Sequence, residues 1–324
     1  MDDTAIEQLL SVAQRYYTQD ETMESIAHQL GVSRSTVSRL LKEARARGLV
    51  RITVAEPNRP LSKVAKHFKA AFKVNAHLVQ VRPGASEILR LDQVARQAAS
   101  IVTNAVTDGD TVGIAWGTTI SAVASHLSPI NVRGVTVCGL NGGGNSQTTG
   151  LPYVGSIVRQ FAEAFQAQQQ PLALPAFFDD PATREAMWRE RSTQHMLAVR
   201  ASSTIAVFGV GGLAAELQSH VYSSNYLTEA DQAGLVAQGV VGDVCTVMIR
   251  EDGSYRDLEI NKRATGMTPA ELKRIPRRIC VVSGLAKTAP LLGALRAGVA
   301  TDLVIDEDTA RAVLHRMNPQ LRLL

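Results

Sequence analysis

Cysteine is scarce in this sequence and widely scattered. Cys138, Cys245 and Cys280 each sit inside an apolar run, far from one another. That spacing excludes a C-x-x-C metal or redox motif and argues against a disulfide framework, leaving buried, inert thiols in a reducing cytosol as the expectation. Long apolar runs are also missing, and none reaches the ~18 residues that a membrane span needs. The opening residues, MDDTAIEQLL, are acidic and lack the basic region and apolar core of a signal peptide. A soluble, cytoplasmic protein is expected. The seven histidines show no paired spacing, and neither G-x-S-x-G nor an ordered Ser/His/Asp set occurs. No metal and no cofactor are therefore expected. Internal repeats and low-complexity tracts are absent as well.

What is present is ordinary in bulk and informative in placement. At 324 residues, 45% apolar and 20% charged, the chain can bury a large core and is expected to hold more than one domain. The net charge of +4 hints at an anionic partner. Between Arg34 and Arg51 six basic residues stand against one acid, Glu43.

That basic stretch lies in a helical region. Ile6, Leu9, Leu10, Ala13 and Tyr17 fall at helical spacing over 4–18. TMESIAHQLG follows, with Ile26, Ala27 and Leu30 on one face and Gly31 where a helix would end. VSRSTVSRLLKEARARG then offers Ser33 as N-cap and turns Val37, Leu40, Leu41 and Ala44 inward. Two helices, a glycine turn and a small residue at the crossing predict a helix-turn-helix. Ser33, Arg34, Ser35, Thr36, Ser38, Arg39 and Lys42 are left to solvent, the kinds of side chain that grip phosphates and read base edges in a major groove. LVRITV (49–54) alternates like a short strand and is expected to form a wing. A DNA-binding domain over 1–54 and a linker over 55–62, broken by Pro57 and Pro60, are expected.

From Lys63 to the end, apolar strands alternate with helices. Strands are expected in AHLVQV, TVGIAW, VRGVTVCGL, TIAVFGVGG, RRICVVSG and TDLVIDE, with helices between them, including ones near 154–169 and 182–200. Such alternation predicts a doubly wound, mostly parallel α/β domain covered on both faces. Ligands in these folds bind at the carboxyl ends of the strands. There the chain offers Gly117, Thr118 and Thr119, the loop 137–150 (VCGLNGGGNSQTTG), Gly209–Gly212, Gly284 ahead of Lys287, and Asp306 with Glu307. Glycines, hydroxyls and one lysine on one edge suit a small, hydroxylated, anionic molecule. Asn141, Gly142, Gly143, Gly144, Gln147 and Thr148 are expected to form one wall, the glycines letting N–H groups converge on an oxyanion or hydroxyl. Gly209 to Ala214 also fits the G-x-G-x-x-A dinucleotide fingerprint, but it lies deep in the chain and its acidic partner would have to be Glu229 or Asp231. Asp243 and Glu259 are the carboxylates open to a catalytic role.

Several segments together resemble the SorC family of bacterial sugar-responsive transcription regulators: ESIAHQLGVSRSTVSRLLKEA, GIAWGTTI, VCGLNGGG, LTEADQAGLVAQGVVGD, EINKRATGMTPAELKRIP and VVSGLAKTAPLLGALRAG with TDLVIDEDTA. The resemblance spans essentially the whole length. It implies a domain over 63–324 related to sugar-phosphate isomerases, used to sense sugars and to oligomerise, in a homo-oligomer bound to palindromic operators. It also implies an effector pocket containing Gly117, Thr118, Thr119, Gly142, Gly143, Gly144, Asp243, Gly284 and Lys287. Some relatives place a lysine where this chain has Asn141, and an amide cannot form a Schiff base. The usual acid ahead of the D-G turn is missing from MIREDG. A pentose, a pentitol or a phosphate of either is the implied effector. The competing readings are a sugar-phosphate isomerase or NAD-dependent enzyme with an extra helical domain, and a pure oligomerisation protein.

Overall fold

In the computed structural model, which describes residues 3–50, 62–213 and 219–320, the chain divides into two compact units, 1–60 and 61–324. Residues 51–54 of the expected wing (49–54) and most of the expected linker lie outside the described residues.

The first unit is three helices: α1 (Asp3–Tyr17), α2 (Met23–Leu30) and α3 (Arg34–Ala46). Thr22 caps α2 by accepting from Ser25 N, and Gly31 ends it in the left-handed conformation at φ 64°. Ser33 caps α3 by accepting from Thr36 N. Leu9, Val12, Ala13, Ile26, Ala27, Val37, Leu41 and Ala44 form the shared core. Leu10 and Leu30, expected inward, are partly exposed because the three-helix core closes on a narrower stripe than their spacing allowed.

The second unit runs α4 (Lys63–Phe72), β1 (Asn75–Val79), α5 (Glu87–Ala105), β2 (Thr111–Ile114), α6 (Thr118–Ser125), β3 (Thr136–Gly139), α7 (Leu151–Phe165) and β4 (Gln168–Gln170). It continues through α8 (Pro181–Arg189), α9 (Arg191–Ala201), β5 (Ile205–Gly209), β6 (Gly211–Gly212), α10 (His220–Ser223), α11 (Glu229–Ala237), β7 (Val240–Val244) and β8 (Val247–Arg250). After α12 (Pro269–Leu272) come β9 (Arg277–Val282), a 3-10 turn (Leu285–Lys287), α13 (Thr288–Arg296), β10 (Asp302–Asp306) and α14 (Glu307–Met317). Seven strands form one parallel sheet in the order β1-β10-β9-β5-β2-β3-β4. Two apolar clusters cover its faces, one centred on α5, α6 and α7, the other on α4, α13 and α14. The strand order reverses between β5 and β2, which opens a crevice at their carboxyl ends.

Three features depart from the sequence expectation. The helix expected over 182–200 is two helices, broken where Glu190 turns extended (ψ 135°). The run TIAVFGVGG is split: β5 ends at Gly209, and Gly211–Gly212 leaves the main sheet to pair with β7 in a small antiparallel sheet, β6-β7-β8. The second glycine of the dinucleotide fingerprint therefore lies in an antiparallel strand, and Asp231 is occupied in a capping box with Thr228 and an ion pair with Arg263.

One buried carboxylate ties the second unit's carboxyl edge together. Asp306 is fully buried, takes a 2.6 Å ion pair from Arg90, caps α14 by accepting from Thr309 N, and accepts from Gly284 N at 3.1 Å. Removing such an anion leaves Arg90 with Asp308 as its remaining carboxylate and strands two N–H groups and the Thr309 hydroxyl. Asp306→Ala should lower unfolding free energy by about 3–5 kcal/mol, read as a fall in the urea midpoint; a loss within error of zero would show that water replaces it.

Candidate ligand pocket and candidate DNA-binding face

On α3 the hydroxyls of Ser33, Ser35 and Thr36 hydrogen-bond one another across the N-terminus, with Ser33 Oγ 2.7 Å from Ser35 Oγ and 2.9 Å from Thr36 Oγ1. Ser33, Arg34, Ser35, Ser38, Arg39 and Lys42 are exposed and Thr36 is partly so. The expected face is thus assembled. Its two arginines differ, because Arg34 Nε pairs with Glu24 of α2 at 2.7 Å while both side chains remain 65% exposed. Such a surface pair is weak and easily exchanged for a phosphate.

In the second unit a cavity lies where the strand order reverses. Trp116, Gly117, Thr118 and Thr119 follow β2, Asn141 follows β3, Gly209 to Gly211 follow β5, and Ser283, Gly284 and Lys287 follow β9. Asp243, Cys245 and Thr246 close it from the β7–β8 hairpin, Ser219 and Val221 from α10, and Glu87 from the start of α5. The expected residues Gly117, Thr118, Thr119, Asn141, Asp243, Gly284 and Lys287 therefore meet in one place. The N-terminus of α6 opens into it, its orphan N–H groups favouring an anion or an acceptor oxygen.

The chemistry of the lining is specific. Asp243 is buried; Tyr222 donates its hydroxyl to Oδ1 at 2.9 Å and Thr246 N donates to Oδ2 at 3.0 Å. Burial pushes the Asp243 carboxyl above the usual range, against the pull of Tyr222, Lys287 and Thr246. Burial likewise lowers the Lys287 ammonium, against Asp243 and Glu87. Among the described residues Lys287 forms no ion pair. Asn141 is 2% exposed, and its Oδ1 has no hydrogen-bond partner among the described residues. The hairpin turn is itself unusual. Cys245 and Thr246 sit at φ 50° and 65°, in the left-handed region that a two-residue turn between paired Val244 and Val247 requires and that non-glycine residues disfavour.

The rest of the glycine-rich loop is placed otherwise than the sequence led one to expect. Gly142, Gly143 and Gly144 do not line this cavity, and their N–H groups are already used: Gly142 N donates to Thr265 Oγ1, Gly143 N and Gly144 N to Leu174 O. A Cβ on Gly142 would overlap the backbone oxygens of Leu174 and Pro175, and one on Gly143 would overlap Val154. The glycines are there because another backbone passes against them. Gln147 and Thr148 line a separate, open groove with Leu174 and Pro175. Their N–H groups are held by Asn145 Oδ1. Glu259 is also outside the cavity and pairs with Lys262.

Trp116, Tyr222, Glu87, Cys245 and Thr246 were missed from the sequence. Trp116 could have been found, since it directly precedes the strand-exit Gly117. Tyr222 carried no signal in its polar surroundings, HVYSSN.

A sugar-binding domain family model (Sugar-bind) matches residues 57–315, and the model of sigma-70 region 4, a helix-turn-helix region, matches residues 8–47. The deoxyribonucleoside regulator of Bacillus subtilis is 32% identical over 94% of this chain and 96% of its own length. The sorbitol operon regulator of Klebsiella pneumoniae is 25% identical over 94% and 97%. Among solved structures, a domain of a possible sugar-binding transcriptional regulator from Arthrobacter aurescens superposes with TM-score 0.74 at 42% identity, covering 80% of this chain and all of that one. The full-length sorbitol operon regulator SorC superposes with TM-score 0.70 at 25% identity over 97% of this chain and all of its own.

The backbone crowding around Gly142 gives a direct check on the loop's role. Gly142→Ala should destabilise the fold by about 1–3 kcal/mol through overpacking, measured by thermal or urea unfolding; full stability would mean that the loop is free to move aside. With a sugar-binding domain model over four-fifths of its length and regulators on nearly all of it, the chain belongs to the SorC family of sugar-responsive transcriptional regulators.

Proposed function

We propose that this chain is a cytoplasmic, non-catalytic, homo-oligomeric DNA-binding regulator of carbohydrate metabolism genes, whose operator affinity is set by a sugar, polyol or sugar phosphate held at Asp243, Asn141 and Lys287. The observation that carries the reading is the cavity's content. A desolvated lysine without an ion pair wants an anion, a buried carboxylate accepts from hydroxyls, and an amide can serve either way. The names of relatives, a deoxyribonucleoside regulator and a sorbitol operon regulator, support a pentose- or hexitol-sized effector. The basic face of α3 supplies the second half, operator contact.

Two measurements test the two halves. Arg39→Ala should weaken specific operator binding by about 1–3 kcal/mol if the guanidinium reads a base, whereas a phosphate contact would weaken all sequences alike and reduce the salt slope by about one. Unchanged gel-shift affinity would remove α3 from the interface. Thermal-shift measurements with ribose 5-phosphate, 2-deoxyribose 5-phosphate, xylitol and sorbitol 6-phosphate should identify a stabilising compound that alters operator affinity and is recovered chemically unchanged. Lys287→Ala should abolish that response when the compound is phosphorylated. Conversion of the compound, lost in Asp243→Asn, would revive the isomerase reading.

A further inference from the structure

The glycine-rich loop lies behind the cavity and yet is firmly attached to something. Asn145 Nδ2 donates to Ser224 O at 2.8 Å, Ser146 Oγ donates to Asn225 O at 3.2 Å, and Tyr226 donates its hydroxyl to Gly143 O at 3.0 Å. Tyr226 also stacks on Trp116, whose Nε1 donates to Gly142 O at 2.7 Å. Three of these hydrogen bonds and the Trp116 stack hold one segment, residues 224–226, directly after α10. That helix carries Tyr222, and on its other side Gln232 of α11 donates to Tyr222 O at 3.2 Å. The Tyr222 hydroxyl reaches 21 positions along the chain to Asp243 Oδ1. Gly211 leaves room for that oxygen, since a Cβ there would overlap it.

We infer that Tyr222 is a positioning residue for Asp243, and that the loop 142–148 serves the pocket indirectly, by clamping the segment from which Tyr222 reaches the carboxylate. The inference rests on the ligand-pocket reading above. A carboxylate with one oxygen fixed by Tyr222 and the other by Thr246 N presents its remaining lone pairs in one orientation, so a hydroxyl on a bound sugar or polyol meets a preorganised acceptor. Without the Tyr222 hydroxyl the group can rotate, and its charge is less well compensated. The groups that face Asp243 are Tyr222 from α10, Lys287 from the turn before α13, and Cys245 on its own hairpin; Glu87 of α5 acts on it through Lys287.

The sign of the pH effect follows. Tyr222 lowers an Asp243 pKa that burial raises, so Tyr222→Phe must raise it further. A carboxyl whose folded pKa is raised loses stability as pH climbs through that pKa. The melting-temperature deficit of Tyr222→Phe relative to wild type should therefore grow as pH rises from the wild-type to the variant pKa of Asp243 and shrink toward low pH, where the carboxyl is protonated in both. A merely structural tyrosine would give a deficit that does not change with pH, and that result would overturn the inference. By calorimetry at pH 7, whichever of ribose 5-phosphate, 2-deoxyribose 5-phosphate, xylitol and sorbitol 6-phosphate binds wild type should bind Tyr222→Phe about tenfold more weakly, with a further loss on acidification that begins at higher pH than in wild type. Asn145→Ala, which leaves the Tyr222 ring in the core, should weaken binding in the same direction by a smaller factor. Equal affinities in wild type and both variants would also overturn the inference. If wild type binds none of the four, the pocket reading fails first and the ligand half of the inference with it, while the unfolding arm still decides whether Tyr222 acts on the charge of Asp243.

Discussion

A carboxylate buried at the mouth of a parallel sheet organises everything around it. Asp243 gives up hydration, so its oxygens must be met by donors, and the chain supplies Tyr222 to one and Thr246 N to the other. Meeting those needs shapes the neighbourhood: a hairpin turn with two non-glycine residues at positive φ, a glycine at position 211 because any Cβ would strike the carboxylate, and a lysine at position 287 that lines the same cavity. None of these features is required by a sheet as such. Together they support the proposed role of Asp243 as an acceptor for a bound hydroxyl.

The main sheet supplies the location. Reversal of strand order between β5 and β2 spreads the loops that follow them, and the same edge receives the N-terminus of α6 and the turn before α13. Asp306 then locks the far side of that edge by joining β10, Arg90 of α5 and Gly284 through one buried side chain. Rigid backbone around a cavity whose polar groups are incompletely paired is the arrangement that recognises a small hydroxylated ligand with selectivity, since each misplaced hydroxyl leaves a buried group without a partner.

Much of this was legible in the sequence, and the exceptions are instructive. The helix-turn-helix could be read because its signals are local: Ser33 as cap, Gly31 as the left-handed stop, and Ala27 at the crossing lie within seven residues. Six strands of the parallel sheet were visible as apolar runs with turn residues at their ends. The glycine loop misled because glycine answers to two physical needs, approach of a ligand and approach of another backbone, and sequence does not distinguish them; here Leu174 and Pro175 take the space. Gly211–Gly212 looked like the end of a strand because the change of sheet happens within one dipeptide. Tyr222 was invisible because its role depends on a partner brought near only by folding.

The same incomplete pairing bears on regulation. A ligand can change operator affinity only by as much as it distinguishes two states of the protein, however tightly it binds. The pocket holds a desolvated lysine, a carboxyl whose pKa burial raises, an amide oxygen at Asn141 with no donor among the described residues and a turn in disfavoured backbone conformation. Each is a local cost that the surrounding fold sustains, and on the reading proposed above a ligand that brought an anion to Lys287 or a hydroxyl to Asp243 would lower the first two. On that reading the free energy for switching would come from these polar groups more than from contact area. On the reading proposed above the discriminating power lies in a few side chains, while Asn145 and Ser146 of the glycine-rich loop hold residues 224–226, directly after the helix that carries Tyr222.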